Sequence, residues 1–166
     1  WHVVKNKSAP FFGTSLYLGA LCGRASLEVA QRVYRFGQLY GEMIQIHDDL
    51  NDSLAVPANP DWKVGRASLP ILFAQTVEHP QRERFWELRQ AIADPEALIE
   101  AQTILLRSGA ISYGLHHLLE RHQEGRDLLR TMPLQHKKSL ESLLEEQFEP
   151  VRQLFVTLNE TKAAVE

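Results

Sequence analysis

From Ser26 to Ser53 the sequence runs without a proline through one amphipathic pattern and ends in Gln45-Ile46-His47-Asp48-Asp49-Leu50-Asn51-Asp52. A helix that long restricts the folds that can hold it. At helical spacing Val33, Phe36, Tyr40, Met43 and Ile44 form an apolar stripe that faces a core. Gly37, Gly41, Gln45, Asp48 and Asp52 form a polar, thinly clad stripe beside it. The acidic end therefore belongs at the edge of the core, and the two glycines are expected to leave room for a ligand.

Crowded carboxylates destabilise a helix unless something neutralises them. No Lys or Arg lies three or four residues from Asp48, Asp49 or Asp52, and negative charge at a helix C-terminus also opposes the macrodipole. Compensation has to come from outside the helix. Solvent at an exposed helix end is one reading. A hard divalent cation is the other, since Mg²⁺ takes one or two carboxylate oxygens and completes its octahedron with water and substrate phosphates. Gln45, set among large apolar residues, and the two glycines favour the cation.

Helical periodicity accounts for nearly the whole chain, and no stretch alternates with period two, so the class is all-α. The pattern predicts helices at Ala9–Cys22, Ser26–Ser53, Ser68–Val77, Arg82–Ala93, Pro95–Arg107, Ala110–Thr131 and Leu134–Glu160. Leu54 to Ala67 is the one long break, and Pro150 interrupts the last helix. At 166 residues and 44% hydrophobic content the chain is expected to form a single domain with a real core.

A formal charge of −3 with scattered Lys and Arg gives no electrostatic case for nucleic acid. The single Cys22 cannot form an intrachain disulfide, which fits a reducing, cytoplasmic setting. The most apolar stretch, Ala9 to Cys22, is interrupted by Gly13, Thr14, Ser15 and Gly19 and reads as a buried helix rather than a membrane span. The chain opens on Trp1 with a motif only a few residues later, so further polypeptide upstream is expected.

Three segments call for a common explanation: Lys5-Asn6-Lys7-Ser8 opens the first helix, Gln45 to Asp52 closes the second, and Gly65-Arg66-Ala67-Ser68-Leu69-Pro70 opens the third. A diphosphate suits them, because Mg²⁺, Lys and Arg can share its charge while a hydroxyl adds a hydrogen bond. In order and spacing they resemble the C-terminal half of the trans-isoprenyl diphosphate synthases, the polyprenyl synthetase family. Val3-Val4-Lys5-Asn6-Lys7-Ser8-Ala9-Pro10-Phe11-Phe12 is similar to that family's Lys-Thr-Ala segment, with Ser8 in place of Thr. The Gln45–Asp52 run is similar to its second aspartate-rich motif, DDxxD, and the Gly65–Pro70 run to its Gly-Lys-x-x-Leu-Pro segment, with Arg66 in place of Lys.

The resemblance implies a helical bundle of the isoprenoid synthase type that condenses an allylic diphosphate with isopentenyl diphosphate. It implies that Asp48, Asp49 and Asp52 bind Mg²⁺, that Lys7 and Arg66 contact the diphosphate, and that Ser8 and Gln45 line its pocket. Fixed cations there would stabilise charge developing on the leaving group, and an apolar wall would keep water from the allylic cation. Phe11, Phe12, Phe36, Tyr40 and Met43 are candidates for that wall, Phe12 and Tyr40 foremost; His47 and the His116-His117 pair read as packing residues. The Lys usual early in the third loop is absent, Pro57 stands in that region, and Lys63 offers a charge further on.

The family's first aspartate-rich motif and its arginine sites for isopentenyl diphosphate have no counterpart in the sequence, which is expected to hold half an active site. Either the chain is part of a longer polypeptide, or a complementary chain completes the fold, or catalysis has been lost, the first two being favoured; the resemblance also implies a homodimer. Two other classes remain: a non-catalytic helical partner of a prenyltransferase, and a class I terpene cyclase, whose second metal motif is usually of an Asn/Ser/Glu type.

Overall fold

The computed structural model describes residues 1–63 and 67–163, with the backbone alone at 61, 63 and 154–163. In chain order the described residues form α1 (His2–Asn6), α2 (Ala9–Cys22), α3 (Leu27–Leu54), α4 (Pro60–Lys63), α5 (Leu69–Thr76), α6 (Arg82–Gln90), α7 (Pro95–Arg107), α8 (Ala110–Thr131) and α9 (Lys138–Ala163). No strand occurs among them, so the class is all-α as expected.

Prolines and glycines set most of the boundaries. Pro95 opens α7 behind Asp94, whose Oδ1 accepts the Glu96 N–H at 3.1 Å, and Gly109 with φ +84° separates α7 from α8. Helices α2, α7 and α8 keep the bounds predicted from the sequence. The departures have local causes. Helix α6 stops at Gln90 because Ala91 N–H turns back to the Leu88 carbonyl, and Asp94 N–H to that of Ala91. Leu134 N–H turns to the Met132 carbonyl and Lys137 Nζ donates to the Arg130 carbonyl, so α9 starts at Lys138 rather than Leu134. Helix α4 interrupts the long break, started by Pro60 and fixed by the buried side chain of Trp62.

Two compact units make up the chain: Trp1 with Gln45–Leu118, and His2–Ile44 with Leu119–Glu166. In the first, Trp62, Ile71, Phe85, Leu88, Leu98, Ile104 and Leu105 form a continuous core in which α6 packs on α7 and α5 on both. Gln102 Nε2 donates to the Ala55 carbonyl at 3.1 Å, tying α7 to the chain just past α3.

In the second unit Phe36, Leu39, Met43, Leu129, Met132 and Leu144 are buried. The carboxylate of Glu42, itself buried, accepts from Arg121 Nε at 3.1 Å and pairs with Arg35 at 3.5 Å. His122 lies stacked on Phe148, and burial lowers its imidazole pKa below the ordinary value despite Glu145 beside it.

The glycines of the polar stripe have a different use from the one expected. A Cβ at Gly37 would lie 2.6 Å from the Phe12 carbonyl oxygen, and one at Gly41 would lie 2.7 Å from the Ala9 Cα. The space is taken by the backbone of α2, not by a ligand. Because α2 meets α3 through its small residues, only Ala9 and Gly13 of α2 are buried, while Phe11 and Leu18 remain exposed. The expectation of a buried helix at Ala9–Cys22 therefore fails, because α3 covers only a single stripe of it.

Substituting Gly37→Ala should destabilise the chain by about 2 kcal/mol, since backbone on both sides has to shift. Gly19→Ala, with nothing within 4 Å of its added Cβ, should be neutral or stabilise by about 0.5–1 kcal/mol. Urea unfolding midpoints of the two variants provide the comparison.

Candidate functional site

The last two turns of α3 carry the acidic run, and its three carboxylates have different surroundings. Asp49 is half-buried: Oδ1 accepts Gln45 Nε2 at 2.7 Å, and Oδ2 accepts the backbone N–H of Leu69 at 2.8 Å. Leu69 begins α5, where the first-turn N–H groups have no partner within the helix. Ser68, the ordinary candidate for capping them, makes no cap hydrogen bond with its side chain. Its hydroxyl instead lies 2.7 Å from that of Ser53, whose own hydrogen goes to the Asp49 carbonyl at 2.6 Å. Ser68 is thus the donor to Ser53, and the Asp49 carboxylate caps α5.

Asp52 is also half-buried, with Oδ1 accepting Asn59 Nδ2 at 2.8 Å and its carbonyl accepting Trp62 Nε1 at 3.3 Å. Asp48 is exposed, and among the described residues no hydrogen bond or ion pair engages its carboxylate. Asp48 and Asp52 lie one turn apart on the same face, whereas Asp49 is rotated from Asp48 by about 100°.

Gln45 is 3% exposed, and its orientation follows from Asp49: the amide nitrogen faces the carboxylate because the amide oxygen would be repelled by it. Oε1 is left buried with no donor. A buried acceptor without a partner is costly, and here it lies beside the acidic run.

Among the described residues no group of three or more His, Cys, Asp or Glu side chains is arranged to hold a metal ion. A site for Mg²⁺ needs fewer, since that ion commonly takes one or two carboxylates and leaves its other positions to water and phosphate. Asp48, and Asp52 through its second oxygen, fit that requirement.

The remaining sequence candidates belong to other segments of the chain. Lys7 is exposed, and Ser8 stands half-buried at the start of α2 with a hydroxyl that makes no cap hydrogen bond. Phe12 and Tyr40 form an edge-to-face pair with ring centroids 5.1 Å apart. Burial, with Glu146 adding to it, pushes the Tyr40 hydroxyl pKa above its usual value. Phe36 and Met43 are fully buried core residues, and Phe11 is 67% exposed. Arg66 lies outside the described residues, as does the side chain of Lys63.

Ser53, Asn59, Ser68 and the Leu69 N–H were not among the sequence candidates. Ser68-Leu69-Pro70 carried a usable signal, a helix start whose second residue has no N–H to donate.

Residues 1–105 match the family model described as polyprenyl synthetase. The chain belongs to the polyprenyl synthetase family. Over 81 residues it is 35% identical to heptaprenyl diphosphate synthase component 2 of Geobacillus stearothermophilus, a match covering 45% of this chain and 25% of that protein. Its fold is similar to that of a decaprenyl diphosphate synthase from Rhodobacter capsulatus, with a TM-score of 0.77 at 20% identity over 90% of this chain and 49% of the other. It is also similar to a geranylgeranyl pyrophosphate synthase from Corynebacterium glutamicum, with a TM-score of 0.75 at 25% identity over 90% and 47%. The chain thus spans about half the length of these solved prenyl synthases, and the helical fold of this synthase family is the one expected from the motifs. Among the described residues no helix is long and apolar enough to cross a membrane.

Replacing Ser53, which is fully buried, with Ala removes the acceptor for Ser68 and the donor to the Asp49 carbonyl. Ser53→Ala should cost about 1–3 kcal/mol of stability, measured by chemical denaturation.

Proposed function

We propose that this chain carries the leaving-group side of an isoprenyl diphosphate synthase. In a complete polypeptide or complex it binds an allylic diphosphate for condensation with isopentenyl diphosphate. One observation carries the reading: in a chain of the polyprenyl synthetase family, Asp48 presents a carboxylate that nothing among the described residues engages, one helical turn before Asp52.

In this reading Asp48 and Asp52 would hold Mg²⁺, which would supply positive charge to offset that developing on the leaving diphosphate. Each residue's part follows from where charge moves. Diphosphate gains negative charge as it leaves, so Lys7, Arg66 and the Ser8 hydroxyl, assigned from their motifs, stabilise departure more than binding. Gln45 offers a buried acceptor beside the acidic run. The aromatic pair Phe12–Tyr40 supplies apolar surface for the prenyl chain. The double bond of isopentenyl diphosphate forms the new C–C bond, a proton is lost, and diphosphate is released.

A second reading is a non-catalytic partner chain. The similarity to a protein named component 2 of a heptaprenyl diphosphate synthase supports a subunit role beside a partner chain. One pair of variants separates the two. In the complete synthase, Asp48→Ala should lower Mg²⁺-dependent elongation by about 10²-fold or more, measured with an allylic diphosphate and isopentenyl diphosphate. Unchanged product formation when Asp48 and Asp52 are both replaced would establish the partner reading instead.

A further inference from the structure

Asp49 belongs to the same motif as Asp48 and Asp52, but its oxygens point to a different task. Both already accept hydrogen bonds from this chain, one from Gln45 Nε2 at 2.7 Å and one from Leu69 N at 2.8 Å. A cation there would share oxygens already turned toward two donors, whereas among the described residues no hydrogen bond or ion pair engages the Asp48 carboxylate. Pro70 contributes no N–H to the first turn of α5 and the Ser68 hydroxyl donates to Ser53, so neither takes the place of the Leu69 donor. The Gln45 amide would lose the contact that sets its orientation.

We infer that Asp49 is a positioning residue: it holds the start of α5 through the Leu69 N–H. The metal is left to Asp48 and Asp52. This inference rests on the diphosphate reading of the site for what is positioned, but the cap itself stands apart from that reading.

The conservative variant separates the roles. Asn at position 49 retains an oxygen for Leu69 N–H and places an amide nitrogen toward Gln45, whose buried Oε1 can receive it after the Gln45 amide turns over. A cap survives that change, whereas a metal ligand loses its charge. Ala retains neither function.

Two measurements on the whole protein suffice: hydrogen exchange of the Leu69 amide, and Mg²⁺-dependent binding of inorganic pyrophosphate by calorimetry. Asp49→Ala should speed Leu69 exchange about tenfold or more, as expected for loss of a hydrogen bond to a charged acceptor, and Asp49→Asn should leave it within about threefold of the parent. Pyrophosphate affinity should stay within about threefold in Asp49→Asn and fall about tenfold or more in Asp48→Asn. If Asp49→Asn weakens pyrophosphate binding as much as Asp48→Asn, Asp49 is a ligand and the inference is overturned. Unchanged Leu69 exchange in Asp49→Ala overturns it as well. Should the parent protein bind no pyrophosphate, the diphosphate reading fails, while the exchange data still decide whether Asp49 is the cap.

Discussion

The candidate site depends on the Asp49 carboxylate, which lies between the Gln45 amide and the Leu69 N–H. A helix start removed from solvent needs acceptors for its leading N–H groups, and α5 takes one from α3 rather than from its own N-cap residue. A charge-assisted bond of this kind is stronger than a neutral one. It also ties two segments widely separated in sequence. The partners of Ser53 and Ser68 follow from it: with Asp49 acting as cap, the Ser68 hydroxyl is available for Ser53, and Ser53 for the Asp49 carbonyl.

Dividing the work among the carboxylates resolves the electrostatic problem posed by the acidic run. The partial positive charge at the start of α5 and the Gln45 amide compensate Asp49, and the Asn59 amide partly compensates Asp52. Asp48 retains its exposed charge. In the proposed reading, a cation would then have fewer charges to neutralise than the sequence suggests, within what a Mg²⁺ ion shared with a phosphate ligand would supply.

Some of this was legible in the sequence. Helices bounded by Pro and Gly, such as α7, kept their predicted limits, because those residues act through the local backbone. The Asp48–Asp52 stripe was legible because helical spacing alone puts both on one face. The distinct role of Asp49 was not, since its decisive donor comes from Leu69 and no local pattern announces that pairing. Gly37 and Gly41 were misread for a related reason. A glycine on a polar stripe permits either a ligand or a neighbouring backbone, and only the tertiary structure shows α2 in that space. Helix α4 was too short to show periodicity, and its anchor, Trp62, is recognised by burial alone.

The central claim is that Asp48 and Asp52 take the cation while Asp49 stays with α5. A crystal structure of the protein with Mn²⁺ and inorganic pyrophosphate, read by anomalous scattering, tests it most directly. The account predicts a manganese peak within coordination distance of Asp48 or Asp52 oxygens, directly or through one water, with Asp49 still accepting the Leu69 N–H. A peak coordinated by Asp49, with that hydrogen bond broken, would contradict it.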